Sequence, residues 1–171
     1  MAAGSTYTPI ATTTLGSNAA SYTFTAISSS YTDLILVVTG QVSSNVSIAC
    51  QVGNGSIDTA TNYSTTEIFG DGTTASSFRN STNAQITVAS IGAQINSGNQ
   101  WVSTLHFQNY SNTTTYKTIL GRTSAAATGV NAIAGLWRST SAIDQIKILG
   151  YAGSSGFTTG TTFTLYGIAA A

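Results

Sequence analysis

Short runs of alternating apolar and polar residues recur along this chain, and the sharpest of them lies at residues 162–168. In TFTLYGI, Phe163, Leu165 and Gly167 fall on one face of an extended backbone, and a mixed set of side chains falls on the other. Successive side chains of a strand point to opposite faces, so a period of two predicts a β-strand with one face against a core.

A second run, IDQIKILG, occupies residues 143–150. An extended backbone here places Ile146 and Ile148 on one face, toward a core, and leaves Lys147 in solvent. The segment between the two runs, Gly150 to Gly160, is rich in Gly and Ser and predicts a loop, because glycine supplies the positive φ angles that turns require. Residues 143–168 therefore predict two strands joined by a loop, central to the sheet.

The remaining runs differ in how much of each strand they predict to be buried. DLILVVT at 33–39 is apolar on both faces, which predicts the central buried strand. The sole proline, Pro9, cannot donate a ladder hydrogen bond, so an edge strand or the entry to a strand is expected at 7–10. Further strands are predicted at 21–27, 46–52, 115–122 and 130–138.

Turn residues separate these runs. Asn54-Gly55 and the triplet Gly70-Asp71-Gly72 favour tight turns, since their residues accept left-handed backbone angles. A hairpin is predicted between residues 84–95 and 100–110, with its turn at 96–99.

No stretch of ten or more residues shows helical periodicity with caps, and Thr, Val and Ile are abundant. Strands at spacings of about 8–12 residues are typical of sandwiches and barrels. We therefore expect an all-β fold, an antiparallel β-sandwich of jelly-roll-like form. Residues 1–171 are expected to make one such domain with an extended N-terminal segment.

Charge is scarce: 6% of residues are charged and the formal net charge is zero, against about 25% charged residues in an ordinary domain. A neutral Ser/Thr/Asn/Gln surface has little electrostatic repulsion and tolerates close neighbours. Nucleic-acid binding is not expected, because the basic residues are too few and too scattered to follow a phosphate backbone. These residues are Arg79, Lys117, Arg122, Arg138 and Lys147.

No secretory signal is predicted, because the N-terminal residues lack both a basic start and an apolar run. The longest uninterrupted apolar run, Leu34 to Val38, is far shorter than the roughly 20 residues that cross a bilayer. Synthesis and folding in a host cytoplasm, without membrane association, are therefore expected.

Residues that would support catalysis or metal binding are few. His106 is the sole histidine and no Gly-x-Ser-x-Gly motif is present, so a Ser-His-Asp triad is not predicted. Cys50 is the sole cysteine and is expected to be a buried apolar side chain. We expect no enzyme activity and no cofactor. A loop calcium site using Asp58, Glu67 or Asp71 stays an open alternative to ordinary turn formation.

Aromatic and arginine side chains near strand ends are candidate interface residues, because such side chains often anchor contacts. For the tryptophans, packing in the core is the competing expectation. The candidates are Tyr110, Tyr116, Arg122, Trp137, Arg138 and Tyr151.

The charges are unevenly divided along the sequence. All acids except Asp144 precede residue 72, and all basic residues follow residue 78. If the two halves form opposite flanks, an acidic flank can meet the basic flank of the next subunit in a head-to-tail ring. The alternative is that folding spreads these charges over the whole surface.

Three segments resemble a group of small bacteriophage virion proteins: YTPIATTTLGSNAASYTFTAISSSYTDLILV, TTTYKTILGR and GLWRSTSAIDQIKILGYAGSSGFTTGTTFTLYGI. The shared motifs are strand patterns, namely "I-A-(S/T)-x-T-L", "Y-T-D-L-x-L", "W-x-(S/T)-x-x-A-I-x-x-I" and "F-x-x-G-(S/T)-x-F-x-L-Y-G-I". The resemblance spans nearly the whole chain and implies a jelly-roll-like β-sandwich on the capsid or tail. It specifies no chemistry.

Two roles are compatible with that resemblance. A capsid decoration or cement protein would lie on the capsid surface as a homo-oligomer, with a trimer favoured, and would clamp major capsid subunits. The alternative is a tail-fibre or spike protein that recognises host surface glycans through aromatic and Asn/Gln side chains. The shortness of the chain favours the first role, since a fibre normally needs a shaft or attachment segment.

Overall fold

The computed structural model describes residues 6–89, 95–151 and 156–169. These residues form two antiparallel β-sheets packed face to face around one hydrophobic core. The predicted all-β class and the jelly-roll-like β-sandwich are confirmed. No helix within the described ranges has the length and apolar character needed to cross a membrane.

Thirteen strands make up the two sheets of the described chain, and they are numbered in sequence order. They are β1 Tyr7–Thr14, β2 Ser21–Phe24, β3 Asp33–Gly40, β4 Ile48–Asn54, β5 Ser56–Ile57, β6 Tyr63–Gly70, β7 Ala75–Asn83, β8 Ile86–Ala89, β9 Trp101–Phe107, β10 Lys117–Ala125, β11 Gly129–Trp137, β12 Gln145–Gly150 and β13 Thr162–Ile168.

The larger sheet has eight strands in the order β1-β13-β3-β9-β10-β11-β6-β7. The apolar run at 33–39 is β3, which lies inside this sheet between β13 and β9, so the prediction of an interior strand is confirmed. The strand around Pro9 is β1 and lies at one edge, as predicted. Its register with β13 shifts between Pro9 and Ala11.

The smaller sheet has the order β2-β12-β4-β5, and β8 also pairs with β4. Ile146 and Ile148 of β12 point into the core and are fully buried, whereas Lys147 remains partly exposed, as the alternation predicts. Cys50 of β4 is also buried, and this burial raises the pKa of its thiol. The expectation of an inert apolar cysteine is confirmed.

Aromatic rings join the two sheets at the centre of the sandwich. The ring of Phe163 on β13 stacks on Tyr22 of β2 with centroids 4.9 Å apart, and it meets Phe157 edge-on at 5.1 Å. Phe157 in turn stacks on Trp101 of β9 at 6.1 Å. Backbone bridges from Phe157 to Ala19 and Val42 hold this ring in place. The core face predicted from Phe163 and Leu165 is therefore confirmed.

The two predicted tight turns are present. Gly55 has φ of 70° and connects β4 to β5, and Gly72 has φ of 88° in the hairpin between β6 and β7. In the second turn the Asp71 carboxylate accepts hydrogen bonds from the Thr73 and Thr74 N–H groups at 2.9 and 2.7 Å. These bonds lower the pKa of Asp71 to about 2.

Two predicted strand pairings are wrong. The strands within 143–168, β12 and β13, lie in different sheets, so the segment that joins them crosses the sandwich. Residues 84–95 and 100–110 do not form a hairpin, because β8 pairs with β4 whereas β9 pairs with β3 and β10. The turn at 96–99 does exist, with a bond from the Asn99 N–H to the Asn96 carbonyl. Residues 90–94 and 152–155, parts of these two predictions, lie outside the described ranges.

The hypothesis of opposite charged flanks is also wrong. Strands β3, β6 and β7 from the first half of the chain lie in the same sheet as β9, β10, β11 and β13 from the second half. Glu67 and Lys117 are both buried, so they add no surface charge. Lys117 donates from Nζ to the carbonyls of Thr115 and Thr140, and burial lowers its pKa.

Gly167 on β13 leaves room for the ring of Tyr31. A Cβ at position 167 would lie 2.3–2.6 Å from ring atoms of Tyr31, well inside van der Waals contact. The ring atoms closest to that Cβ include Cγ, so a small rotation of the ring tip cannot relieve the overlap.

We therefore expect Gly167→Ala to lower the free energy of unfolding by about 1–3 kcal/mol, the usual cost of overpacking. Urea denaturation followed by circular dichroism measures this change. The matched control is Gly16→Ala, because nothing lies within 4 Å of its added Cβ; its expected effect is within about 0.5 kcal/mol. Equal stability of the two variants would contradict this account of Gly167.

Candidate functional site

The candidate functional site is the outer face, defined here as the side chains of the eight-stranded sheet that point away from the smaller sheet. Strand alternation assigns these side chains, and aligned residues of neighbouring strands share a face. On β11 every outward side chain is apolar, namely Val130, Ala132, Ala134 and Leu136. The outer face therefore has an apolar strip along the whole of this strand.

Large aliphatic side chains extend this strip across neighbouring strands. Ile68 of β6 is 62% exposed, Val130 of β11 55%, Leu120 of β10 42% and Val102 of β9 40%. Scattered exposed apolar residues are ordinary, but these four point from one face of one sheet. No layer of the described chain covers them, so these side chains are exposed to solvent in the single chain.

The strip ends in an open cleft where β11, β6 and β7 come together. The cleft has a volume of about 600 Å³, and its lining includes Ile68, Ala75, Val130 and Ala132. It contains few polar groups and continues the apolar surface rather than forming a separate site.

Polar groups lie near the middle of the outer face. The Nε2 atom of His106 is 2.9 Å from Oδ2 of Asp33, whose Oδ1 accepts the Asn109 N–H at 2.7 Å. Within the described part of the chain, Asp33 is the one hydrogen-bond partner of the His106 side chain. His106 lies beside Ile35 and Leu120 in the sheet register. This arrangement fixes the imidazole but brings no hydroxyl nucleophile to it.

The six predicted interface residues lie in different environments. Arg122 is exposed on the outer face, where it is aligned with Thr104 and Ala132, and Tyr116 is 55% exposed just before β10. An interface role for these two residues stays a prediction.

Arg138 and Tyr151 are partly buried and bonded within the chain. Arg138 donates to the carbonyls of Tyr63, at 3.2 Å, and Ser81, so it ties the C-terminal end of β11 to β6 and β7. The Tyr151 hydroxyl accepts a hydrogen bond from Asn83 Nδ2 at 3.1 Å. Both side chains stabilise the fold.

The predicted interface role is wrong for Tyr110 and Trp137, because both side chains are buried and neither is available as a surface anchor. The Tyr110 hydroxyl donates to the Ser28 carbonyl. Trp137 Nε1 donates to Asp58 Oδ2 at 2.8 Å. Core packing, the competing expectation for the tryptophans, is thus confirmed for Trp137.

The acids considered for calcium binding do not converge. Asp58 accepts hydrogen bonds from Trp137, Asn62 and the Ala60 N–H. Asp71 caps its own turn, and Glu67 is buried on the inward face of β6. No group of three or more metal-ligating His, Cys, Asp or Glu side chains occurs among the residues described.

Sequence reasoning missed Ile68, Val102, Leu120 and Val130, which dominate the outer face. The signal was present, because strands such as β11 are apolar at consecutive positions. A sheet in a two-layer sandwich has one face in the core and the other uncovered. Apolar residues on both faces of such strands therefore indicate an apolar outer surface.

The hydrogen bond between Trp137 and Asp58 provides a test of the structural role of Trp137 in the core. We expect Asp58→Ala to lower the free energy of unfolding by about 1–3 kcal/mol, because a buried indole N–H loses its acceptor. In a Trp137→Phe background the same change should cost less, since that donor is gone. A double-mutant cycle by urea denaturation, followed by circular dichroism, measures the coupling energy. Additive effects of the two changes would contradict this role.

The pH dependence of stability follows from the same contact. Burial raises the pKa of Asp58, but its hydrogen bonds from Trp137, Asn62 and Ala60 outweigh burial and lower the pKa below 3.8. The stabilisation is fully present above the unfolded-state pKa and is lost as the pH falls through the folded-state value. Asp58→Ala should therefore lose less stability than the wild type on acidification below pH 3.8. Parallel losses in the two proteins would contradict this.

Comparisons with known proteins add a fold likeness. No protein-family model matches the chain, and no curated protein sequence matches it. A galectin of Caenorhabditis elegans, LEC-6, is similar in structure with a TM-score of 0.39 and 10% identity over 93% of this chain and 96% of the galectin. A toad ovary galectin, solved with thio-digalactose, gives a TM-score of 0.40 and 9% identity over 86% of this chain and 98% of the galectin.

The alginate lyase Aly36B is also similar, with a TM-score of 0.35 and 10% identity over 92% of this chain and 77% of the lyase. The structures that resemble this chain thus include both galectins and lyases. At such identities the likeness concerns the β-sandwich fold and does not distinguish a binding protein from an enzyme.

Proposed function

We propose that this chain is a non-enzymatic structural protein of a bacteriophage virion, which decorates the capsid surface and holds neighbouring major capsid subunits together. The observation that carries the proposal is the exposed apolar outer face, with Ile68, Val102, Leu120 and Val130 all uncovered. Large apolar side chains exposed on one face of a sheet favour a protein-protein contact. The resemblance of the strand motifs to small virion proteins supplies the virion context.

The low charge of the chain supports the same function. Charged residues are 6% of the sequence, and Arg122 stands among apolar and small polar neighbours on the outer face. Interface centres are depleted in charge and enriched in Arg among the charged residues. The charged groups of the outer face are few, namely Arg79, Arg122 and the His106–Asp33 pair, so the aliphatic residues around Arg122 can be buried against a protein at little desolvation cost.

Recognition of a host glycan by a tail fibre or spike is the second candidate function. The exposed rings of Tyr7 and Tyr116 favour it, since aromatic faces can stack on sugar rings. Ile68 and Val130 argue for the capsid role instead, because aliphatic side chains offer no hydrogen bonds to sugar hydroxyls.

The outer-face contact is tested by adding one charge at its most exposed positions. We expect Ile68→Lys or Val130→Lys to weaken binding to phage heads that lack the protein by about 10-fold or more, because a lysine would be buried without a partner. Co-sedimentation of the purified protein with heads of its own phage measures this affinity. Folding should be little affected, since both side chains are exposed.

The matched control is Ser21→Lys, which adds the same charge to the outward side of the smaller sheet, opposite Leu149 and not opposite another cation. Its binding to heads should equal that of the wild type. Equal binding by Ile68→Lys and the wild type would contradict the proposed contact. Binding of the wild type to a host polysaccharide and not to heads would support the second function instead.

A further inference from the structure

Residues 75–80 of the edge strand β7 lack the proline, glycine and bulge that keep sheet edges from pairing. The strand has nine residues and no proline or glycine, and Arg79 is its one charged side chain. Nearly every residue is exposed, on both faces, and no described strand pairs with its outer edge. The opposite edge, β1, carries Pro9 and a register shift within its first half, whereas the register shift of β7 lies between Asn80 and Asn83 and leaves residues 75–80 regular. An unprotected sheet edge can pair with a strand of another chain, so we expect such pairing at β7.

Two backbone hydrogen bonds show which N–H and C=O groups of β7 point away from β6 and can pair with another strand. The Asp71 N–H bonds the Thr74 carbonyl, and the Arg138 N–H bonds the Asn62 carbonyl. Hydrogen-bonded and non-hydrogen-bonded pairs alternate along antiparallel strands. The Arg138–Asn62 bond therefore implies that even-numbered residues of β6 bond to β11. The Asp71–Thr74 bond implies that odd-numbered residues of β6 bond to β7. From the β6-β7 register, Ala75, Ser77 and Arg79 then direct their N–H and C=O groups away from β6.

We propose that β7 pairs antiparallel with β7 of a second copy across a two-fold axis, which joins the two large sheets into one continuous sheet. A strand edge is self-complementary in this arrangement, because each outward N–H meets an outward C=O of the same strand in the other copy. The binding partner at this edge is thus the chain itself.

Side chains select the register of this pairing. A two-fold axis at Arg79 would oppose two like charges, which is unfavourable. An axis at Phe78 pairs Ser77 with the second copy's Arg79 through outward backbone groups. It also places the two Phe78 rings opposite each other in a non-hydrogen-bonded pair, where side chains are closest. Phe78 is 44% exposed in the single chain, so this pairing buries apolar area.

Side chains near Phe78 add contacts where the two β7 strands meet. On the outer face, Ser77 is aligned with Ile68. The second copy's Arg79 lies one strand further on, opposite Ser77, so the pairing adds contacts beside Ile68 and leaves Ile68 itself open. On the inward face, Phe69 of β6 is diagonal to Phe78, within reach of aromatic side chains.

This inference stands independently of the capsid role, because it uses the edge of the sheet and not the outer face. It also implies an even number of subunits, in conflict with the trimer expected from the sequence resemblance. A failure of head binding would leave the dimer intact, and a monomer could still bind heads.

The first test is the mass of the purified chain by light scattering coupled to size-exclusion chromatography. We expect the wild type to be a dimer of twice 17.5 kDa and Ser77→Pro to be a monomer. Proline removes an outward N–H that makes no bond to β6, so the β6-β7 ladder stays intact. Ser77→Thr keeps this N–H and should remain a dimer. A wild-type monomer or trimer, or a dimeric Ser77→Pro, would overturn the proposal.

The second test is cross-linking, which does not require Ser77→Pro to fold. In the proposed register the Cα atoms of the two residues 78 are about 4.5 Å apart, within the range for a disulfide. Phe78→Cys should therefore oxidise to a covalent dimer. Ser77→Cys is the matched control, because the two residues 77 are offset by about 7 Å along the strand and by the strand spacing across it. Cys50 is buried and should not interfere. Absence of cross-linking in Phe78→Cys would overturn the register and the two-fold contact.

Discussion

The unequal size of the two sheets is the constraint on which the rest of this structure depends. Eight strands form one layer, and the smaller layer covers only part of its inward face. Strand β8 packs against β10, β11 and β6, whereas β7 is exposed on both faces. Because side chains alternate between faces, every strand of the large sheet must also direct half of its residues outward. The buried core, the apolar outer face and the uncovered edge are consequences of this one arrangement.

Local sequence patterns predicted the strands and their faces well. Alternation placed Phe163 and Leu165 in the core, and Ile146 and Ile148 opposite the partly exposed Lys147. Turns at Gly55 and Gly72 followed from residues that accept positive φ. These predictions succeeded because strand alternation and turn conformation both depend on residues that are close in sequence.

Strand pairing was the part that sequence could not supply. A period of two assigns faces but not partners, and a loop between two strands of a sandwich either closes a hairpin or crosses to the other sheet. The loop between β12 and β13 crosses, although its Gly-rich composition suits a hairpin equally well. The position of β8 depends on contacts with β4, which is distant in sequence.

The predicted interface residues show a similar limit. Tyr110 and Trp137 lie near strand ends, yet each buries its ring and finds an acceptor for its polar tip, Ser28 O and Asp58 Oδ2 respectively. Proximity to a loop therefore did not imply exposure. Val130 was missed because β11 has apolar residues on both faces, and only the layer arrangement decides which face is uncovered. Ile68, Val102 and Leu120 were missed because each is a single large apolar residue on a largely polar face of its strand.

The outer face and the β7 edge are oriented differently, so one copy can use both. Edge pairing extends the sheet sideways, while the outer face of the extended sheet stays free to contact a partner. Under the proposed virion function, cryo-electron microscopy of the virions that contain this chain tests the central claim most directly. We predict density for the β-sandwich on the head, with Ile68, Leu120 and Val130 against a capsid subunit. Density at the tail, or a sandwich on the head whose outer face is turned to solvent, would contradict it.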